Sequence, residues 1–379
     1  MSTNRRRGRG EGTIRRRKDG RWEWRIDLGW HNGKRVRKSI FARTQKEVIE
    51  RGRAFLRQHG DGAAIHDERL RVGDYLDWWL DEVIVDRVRP STAISYGEKV
   101  RLHLKPHLGH VRLSKLSAAD VHAFMRAKLA AGMTPRGVAY CRAVLRKALN
   151  DAMALGLVHR NVATLVEPPK AERVEVVPLG PHEAKALLAA ARGDRLYAVY
   201  AVALAVGLRL GEALGLHWDD VDLDAGTLRV RHSLQRLQGE LRLVEPKSAK
   251  SRRTVSLPAS CVDALRGHRH QQNKERLAAD NWVEHGLVFT TTVGTPIDPR
   301  NLDRHFERLC HRAGIGKRRF HDLRHTCASL LLAQNVHPRV VMETLGHSQI
   351  SLTMDTYSHV LPAVQRDAAE RIDEVLKHW

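Results

Sequence analysis

Histidine, arginine and tyrosine side chains that together suit one reaction lie in four short motifs of the chain. Arg209 lies in GLRLGE, His321 and Arg324 in HDLRH, His347 in LGHS, and Tyr357 in DTYSH. Guanidinium groups bind phosphate oxygens through a planar fork of donors, imidazoles move protons, and an activated tyrosine hydroxyl is a nucleophile. Phosphoryl transfer is catalysed mainly by positioning and charge stabilisation. The set therefore predicts chemistry at a phosphodiester.

The charge of the chain agrees with a polyanionic substrate. Its 379 residues include 65 lysines and arginines against 43 acidic residues, a formal net charge of +22. The first 60 residues alone hold 19 basic and six acidic residues. An excess of this kind indicates nucleic-acid binding. For the run Arg5–Arg7, a solvated tail or a localisation signal is the alternative interpretation, because blocks of like charge are often disordered.

Length and cysteine spacing limit the architecture and the compartment. A chain of this length exceeds what one core usually serves, so two or three domains are expected. The longest apolar run, residues 196–208, is shorter than the ~20 residues of a membrane span, and no apolar segment follows the basic N-terminus. We expect neither export nor membrane insertion. The cysteines are far apart and form no CxxC pair, which argues against disulfides and a zinc ribbon and favours the cytoplasm; they are Cys141, Cys261, Cys310 and Cys327.

Residues 13–41 predict three short strands, because the turn signals KDG and HNG separate three stretches of strand-forming residues. Alternation in the middle strand places Trp22 and Trp24 on one face of the sheet and Arg21 and Arg25 on the other. The sequence therefore predicts a small sheet with one apolar and one basic face.

A helix is predicted to follow this sheet. Thr44 and Glu47 form a capping box for a helix that ends near Gln58. A sheet backed by a helix, with a basic outer face, fits a DNA major groove. A solubility domain without a role in DNA binding is the alternative. The predicted DNA contacts are Arg15, Arg16, Arg17, Arg21 and Arg25.

The next region, from Arg71 to about Val166, has helical periodicity throughout. Three further helices are predicted to begin at Ser91, at Ser117, and at Thr134. The side chains spaced for one buried face of the first helix are those of Tyr75, Trp78, Trp79 and Val83.

Three histidines of this region have a spacing that resembles a metal site. They are His103, His107 and His110, but Pro106 and Gly109 are expected to break the helix that would align them. Solvated histidines, or histidines in contact with DNA phosphates, are the favoured interpretation.

The last region begins after a proline-rich linker near residues 167–181. Strands are predicted at 227–234, 241–244 and 254–257, and helices dominate from Asn301 onward. Residues 363–379 have the spacing of an amphipathic helix, which packs on its own domain or docks into a neighbouring subunit.

The HDLRH motif also has a rival interpretation as a zinc helix. His321 and His325 are four residues apart, as chelating histidines are, and His347 would be a third ligand. Asp322 stands where a metalloprotease needs the longer glutamate, and Arg324 would repel the cation. Nucleotide hydrolysis is disfavoured too, because GxxxxGK[ST] is absent from the sequence.

Taken together, the motifs resemble the boxes of the tyrosine recombinase (phage integrase) family. The boxes are AVGLRLGE at 205–212, HDLRH at 321–325, LGH at 345–347 and DTYSH at 355–359. Their order and spacing match as well, and four boxes together are far more specific than any one of them. The helical region resembles the family's core-binding domain, and the N-terminal sheet with its helix resembles the arm-binding domain of many integrases.

The resemblance implies a role for each matching residue. Tyr357 is the nucleophile, and Arg209 and Arg324 clamp the non-bridging oxygens of the scissile phosphate. His321 assists proton transfer, and His347 hydrogen-bonds the phosphate.

Two further positions follow from the same resemblance. Lys247, in EPKS, matches the lysine that protonates the leaving 5′ oxygen, and Lys250 is a second candidate for that role. Glu212 supports Arg209 by orienting its guanidinium. No metal or cofactor is implied.

The implied function is site-specific DNA recombination through a 3′-phosphotyrosyl intermediate, for integration or excision of a phage or mobile element. The implied partners are double-stranded DNA attachment sites, a homotetramer on DNA and accessory DNA-bending or excision factors, in the cytoplasm of a bacterial host. The alternatives are a catalytically inactive DNA-binding regulator and a type IB topoisomerase-like enzyme.

The predicted fold is multidomain and mainly α, with small β-sheets. Residues 1–66 form an N-terminal arm-type DNA-binding domain with a three-stranded sheet plus a helix. Residues 67–168 form a helical core-binding domain, and residues 169–379 form an α-rich catalytic domain with a small antiparallel sheet.

Overall fold

The fold is mainly helical with small antiparallel sheets, as predicted. The computed structural model describes residues 13–17, 19–31, 34–58, 69–172, 177–246 and 251–346, and isolated positions between 369 and 377. The chain divides into two compact units, one that ends at Glu172 and one that follows it. The three-domain division stays a prediction, because its first boundary, between residues 66 and 67, lies outside the described residues. Most of the predicted helix 363–379 lies outside them too.

The first unit begins with the predicted sheet. Its strands are antiparallel in the order β1-β2-β3, and helix α1 packs on one face. Trp24 and Ile26 of the middle strand are buried there with Val48 of α1, whereas Trp22 is half-buried. Burial of the apolar face against α1 holds the sheet together. The elements are β1 Thr13–Arg16, β2 Trp22–His31, β3 Lys34–Ala42 and α1 Gln45–Gln58.

The predicted cap of α1 is present. Thr44 Oγ1 accepts a hydrogen bond from the backbone N–H of Glu47 at 3.2 Å, which satisfies one of the donors left unpaired at a helix N-terminus.

The helical module that follows has the predicted number of main helices. The second of them begins at Pro90, one residue before the predicted Ser91, and the capping box of Ser117 and Asp120 is present. Thr134 caps the last helix by accepting from the Gly137 N–H at 3.2 Å. The elements are α2 Val72–Trp78, a π-helical segment Trp79–Ile84, α3 Pro90–Lys99, a π-helical segment Val100–Leu104, α4 Lys105–Leu108, α5 Ala118–Ala130 and α6 Pro135–Ala154.

Two expectations for this module were wrong. Trp78 is 42% exposed rather than buried. It ends the regular helix α2 at the edge of the buried face, whose centre is formed by Leu76 and Trp79. Pro106 does not break the helix. The π-helical turn before α4 accommodates it at the start of a new helical segment, where a missing N–H costs nothing.

The second unit is built around the apolar helix α8, which is buried along almost its whole length. Its helices are α7 Pro181–Ala191, α8 Tyr197–Val206, α9 Leu210–Leu214, α10 Ala259–Ala278, α11 Pro299–Arg312, α12 Phe320–Ala333 and α13 Pro338–Leu345. None of the helices described in either unit is long and apolar enough to span a bilayer.

The strands of the second unit form two separate sheets. The predicted single strand 227–234 is wrong, because the chain turns at Arg231 and His232 and continues in the other sheet. One sheet has the order β4-β5-β8 and the other is the hairpin β6-β7. Gln238 and Gly239, both with positive φ, close that hairpin at the predicted turn. The strands are β4 Val221–Asp222, β5 Thr227–Val230, β6 Ser233–Leu237, β7 Glu240–Val244 and β8 Arg253–Ser256.

Candidate active site

Arg209 lies in the tight connection between α8 and α9. Helix α8 ends at Val206, and Gly207 follows in the left-handed conformation with φ of 66°. Arg209 is extended and is the N-terminal capping residue of α9. Arg209 therefore lies three residues after the end of the apolar helix, in the turn that follows it. The left-handed glycine turns the chain so that Arg209 leaves the axis of α8.

Glu212 holds the Arg209 side chain, as its position in the motif predicts. Arg209 Nη1 donates to Glu212 Oε1 at 2.5 Å, and the Arg209 backbone N–H donates to Oε2 at 3.1 Å. The Glu212 side chain is only 3% exposed, whereas that of Arg209 is 37% exposed. Glu212 therefore holds both the backbone and one guanidinium nitrogen of Arg209, while the Arg209 side chain stays partly accessible to solvent.

A second arginine, Arg253, binds the same carboxylate. Its Nη2 donates to Glu212 Oε2 at 3.1 Å. Burial by itself would raise the pKa of Glu212, but the charges of Arg253 and Arg209 outweigh it and lower that pKa below its ordinary value. Glu212 is therefore a carboxylate at neutral pH. The sequence motifs do not include Arg253, because nothing in its local spacing points to a partner 41 residues away.

Arg324 lies in the first half of α12 and is almost fully buried, with 2% exposure. Its Nη1 donates to the carbonyl of Gly207 at 2.8 Å, and its Nη2 donates to the carbonyl of Leu345 at 2.6 Å. The guanidinium thus connects the α8–α9 turn with the end of α13. A buried guanidinium needs such acceptors, because an unpaired charge is costly in the interior.

The two motif arginines meet at the C-terminus of α13. Arg324 binds the Leu345 carbonyl, and Arg209 Nη2 lies 3.4 Å from the next carbonyl, that of Gly346. Carbonyls at a helix C-terminus lack intrahelical partners and carry partial negative charge, so cations are favourable there. The structure therefore brings together GLRLGE, HDLRH and the start of LGHS.

His321 begins the exposed side of α12, next to these arginines. Its ring lies 5.0 Å from that of His325, centroid to centroid, in an edge-on arrangement. Partial desolvation, together with the positive charges of His325, Arg324 and Arg209, lowers the pKa of His321 to about 4. At neutral pH the imidazole is therefore neutral and able to accept a proton.

Asp322, the residue that the zinc interpretation had to explain, is used within the protein. It closes a capping box with Arg319, whose backbone N–H donates to Oδ2 at 2.8 Å and whose Nη2 donates to Oδ1 at 2.8 Å. Among the residues that the structure describes, no three His, Cys, Asp or Glu side chains are placed to hold a metal ion.

Four residues of the predicted site lie outside the described residues: Lys247, Lys250, His347 and Tyr357. Gly346, the residue before His347, is described and has a left-handed φ of 67° at the end of α13. The roles of these four residues stay predictions.

Two of the predicted N-terminal DNA contacts share a buried carboxylate. Glu23, on the sheet face opposite Trp24, accepts hydrogen bonds from Arg15 Nε at 2.8 Å and Arg25 Nη2 at 3.2 Å. Ser39 Oγ donates to it at 2.7 Å. The Ser39 hydrogen bond and those of the two arginines lower the pKa of Glu23 to about 2, against the opposing effect of burial.

The other three predicted contacts are exposed. Arg21 Nη2 donates to Asp19 at 2.8 Å, and the Arg17 guanidinium lies 5.3 Å from the centre of the Phe41 ring. Arg16 extends into solvent from the edge strand β1. Arg16 pairs with Trp22 and therefore lies on the other face of the sheet from Glu23. Arg15 and Arg25 lie on the face of Glu23, where part of their charge is neutralised.

The chain is similar to known proteins of one family. Residues 178–363 match the phage integrase family, and residues 72–129 match the N-terminal SAM-like domain of phage integrases. The chain is 31% identical over 364 residues to a tyrosine recombinase XerC-like protein of Caldanaerobacter subterraneus, with 91% of this chain and 93% of that protein covered. It is 33% identical over 393 residues to an integrase of Streptomyces ambofaciens, with 98% of both covered.

Solved structures share the fold. The Tn1549 transposon integrase in complex with a circular intermediate DNA has a TM-score of 0.69 at 20% identity, covering 80% of this chain and 99% of that one. A lambda integrase dimer bound to a core site has a TM-score of 0.57 at 17% identity, covering 93% and 96%. On the sequence relationship, which extends over nearly its whole length, the chain belongs to the phage integrase family and is a tyrosine-type site-specific DNA recombinase.

Proposed function

We propose that the chain cleaves and rejoins DNA strands at attachment sites of a phage or mobile element, through a covalent 3′-phosphotyrosyl intermediate on Tyr357. The observation that carries this proposal is the convergence of Arg209 and Arg324, from two separate elements, on consecutive carbonyls directly before His347. Two guanidiniums in one place suit the non-bridging oxygens of a single phosphate.

The arginines have complementary tasks. Arg324 is buried and two carbonyls fix its guanidinium, so its positive charge is held in one position. Arg209 is more accessible and is held from behind by Glu212. Preorganised charge of this kind stabilises the pentavalent transition state without reorganisation at the moment of reaction.

The remaining groups move protons. The phenol of Tyr357, with an ordinary pKa near ~10, attacks the phosphorus only as it loses its proton. Neutral His321 assists that transfer, and His347 donates to a phosphate oxygen. As the P–O5′ bond breaks, Lys247 or Lys250 protonates the leaving 5′ oxygen.

The energetics of the exchange need no nucleotide. One phosphodiester bond is replaced by a phosphotyrosyl bond, and a 5′ hydroxyl then attacks that bond in the reverse sense. The energy of the broken linkage is kept in the covalent intermediate. The positive charge that the transition state requires comes from guanidiniums, whose charge is permanent.

DNA is the partner that this chemistry and the charge of +22 require. The Tn1549 and lambda integrase structures contain DNA, and one lambda structure is a tetramer bound to a Holliday junction. Exchange between two duplexes needs four strand cleavages, so we infer a homotetramer on paired sites. Accessory DNA-bending or excision factors would set direction, and the chain would act on DNA in the bacterial cytoplasm.

A direct test is covalent trapping. The purified chain is incubated with nicked duplexes tiled across the DNA that flanks its gene, and products are separated under denaturing conditions. Wild type is expected to form a protein–DNA adduct at one site, and Tyr357→Phe is expected to form none. An adduct that persists in Tyr357→Phe, or no adduct with any duplex in wild type, contradicts the proposal.

The same material separates the two alternatives. A type IB topoisomerase-like enzyme would relax a supercoiled plasmid that lacks the trapped site, whereas a recombinase requires that site. An inactive regulator would bind the duplex without any adduct. Binding that weakens with salt is common to all three and distinguishes none of them.

A further inference from the structure

Arg253 is a buried cation that the four motifs do not include. Its side chain is 6% exposed, and it is the first residue of β8. Each of its three side-chain nitrogens donates to a protein oxygen: Nε to Thr344 O at 2.6 Å, Nη2 to Glu212 Oε2 at 3.1 Å and Nη1 to Ser251 O at 3.2 Å. Because all three nitrogens of this guanidinium donate to protein oxygens, Arg253 connects protein elements rather than binding a phosphate.

Through its contact with Glu212, Arg253 is linked to Arg209, one of the two arginines proposed to bind the phosphate. Glu212 presents Oε1 to the Arg209 guanidinium and Oε2 to Arg253. With both oxygens engaged, the carboxylate plane cannot rotate, and the Arg209 side chain is directed by a fixed partner. Among the hydrogen bonds of the described residues, removing Arg253 leaves Oε2 of Glu212 with only the Arg209 backbone N–H.

Through its contact with Thr344, Arg253 is linked to the C-terminal end of α13. Three consecutive carbonyls end α13, and each is bound by a different arginine: Thr344 by Arg253, Leu345 by Arg324 and Gly346 by Arg209. His347 follows directly in the chain. Arg253 therefore secures the last turn of the helix that leads into His347.

The position of Arg253 in the chain adds a third connection. It lies three residues after Lys250 and six after Lys247. Strand β8 pairs with β5 in register Val230↔Arg253. The residue thus anchors the end of the segment that holds both candidate general acids.

We infer that Arg253 is a positioning residue for strand cleavage. One guanidinium directs Arg209 through Glu212 and, through Thr344, holds the last turn of α13, which precedes His347 in the chain. It does not bind the phosphate itself. The inference rests on the proposed function and assigns a role to a residue outside its reacting groups.

The test uses the full chain as Arg253→Met, which keeps an unbranched apolar side chain in place of the aliphatic part of arginine and removes every donor. The matched control is Arg339→Met, an arginine on the exposed side of α13 whose Nε binds Glu343 at 3.1 Å. Single-turnover adduct formation and the Kd for the same duplex are measured for both. In Arg253→Met the rate constant is expected to fall about 10- to 100-fold, as for small misplacements of reacting groups, with Kd changed by less than about threefold. The control is expected to match wild type.

Partial unfolding is separated from misplacement by the form of the time course. A misfolded fraction lowers the amplitude of adduct formation, whereas misplaced groups lower its rate constant. A rate constant equal to that of wild type, or a rate loss matched by an equal loss of affinity, overturns the inference.

A second measurement needs no DNA and holds even if the proposed function fails. Backbone hydrogen exchange of residues 341–346 is followed in the free protein. Exchange about tenfold faster in Arg253→Met than in Arg339→Met is expected, because the end of α13 loses one of its three anchors. Equal protection in the two variants would show that Arg253 does not secure this turn. A wild type that forms no adduct refutes the proposed function, and leaves this structural half of the inference to be judged by exchange alone.

Discussion

The carbonyl of Gly207 accepts a hydrogen bond from Nη1 of Arg324 at 2.8 Å, which joins the GLRLGE turn to the HDLRH helix across 117 residues of sequence. Gly207 has a φ of 66°, and a Cβ added there would overlap the buried side chain of Leu345. The position requires glycine both for its conformation and for its space.

Gly207→Ala is therefore expected to destabilise the chain by about 2–4 kcal/mol, from left-handed strain plus overpacking. The matched control is Gly193→Ala, which has a φ of 76° and open space around the new Cβ; it should cost only about 1 kcal/mol. Urea unfolding of the three proteins measures the difference. Equal losses in the two variants would mean that contact with Leu345 contributes nothing.

Replacing Arg209 or Arg324 with lysine is expected to affect the free energy of unfolding differently, although both changes should slow strand cleavage. Arg324→Lys leaves one of two buried carbonyls without a donor and should cost about 1–3 kcal/mol. Arg209→Lys changes a side chain that is 37% exposed and should cost less than about 1 kcal/mol. Both variants should form adduct far more slowly. The measurements are denaturant midpoints and single-turnover rates; a larger midpoint shift in Arg209→Lys would reverse the assignment of the buried and the accessible arginine.

Glu212 should contribute a pH-dependent part of the stability. Its folded-state pKa lies below the ordinary value, so its ionisation stabilises the fold above pH about 4.3, and that contribution is lost as pH falls through the folded-state pKa. The difference in unfolding free energy between wild type and Glu212→Gln should therefore be largest near neutral pH and shrink below pH about 4.3. Unfolding measured at several pH values gives this difference, and one that grows on acidification would contradict the pairing with Arg253 and Arg209.

His321 should also make the fold less stable on acidification, but over a higher pH range than Glu212. Its pKa is lowered to about 4 in the folded chain and lies near ~6.5 when unfolded. Between these values the unfolded state binds the extra proton, so stability falls as pH decreases from about 6.5 to about 4. His321→Asn should remove that part of the slope. Histidine side-chain NMR offers a direct check, because the His321 ring should stay neutral through pH 6; protonation near pH 6.5 would contradict the lowered value.

On the N-terminal sheet, Glu23 is expected to limit non-specific DNA binding. Glu23→Gln releases Arg15 and Arg25 from a buried carboxylate, so affinity for a random-sequence duplex should rise about two- to fivefold at low salt, with a steeper dependence on salt. Glu47→Gln adds the same charge on α1, where Glu47 pairs with Arg51. Fluorescence anisotropy compares the two variants. If both raise affinity equally, Arg15 and Arg25 do not face the duplex and only net charge matters.

The local patterns predict most elements, and the predictions fail where tertiary packing or irregular helix geometry decides. A 3.6-residue repeat places Trp78 beside the buried face of its helix, and only packing decides that Leu76 and Trp79 are buried while Trp78 stays exposed. Pro106 would break a regular α-helix, but here a π-helical segment precedes it and a new helical segment begins around it. The strand 227–234 was predicted as one element, because propensity does not reveal that the chain changes sheets after Val230.

The sequence by itself determined which groups are available: the four boxes, the excess of positive charge, the glycine that allows a left-handed turn, and the glutamate one turn after Arg209. These are properties of residue type and short spacing, which local chemistry decides. Only the tertiary structure decided that Arg209, Arg253 and Arg324 bind consecutive carbonyls at the end of α13. That arrangement depends on packing among elements that lie 21 to 137 residues apart in the chain, and buried polar groups find such partners only once the core around them has formed.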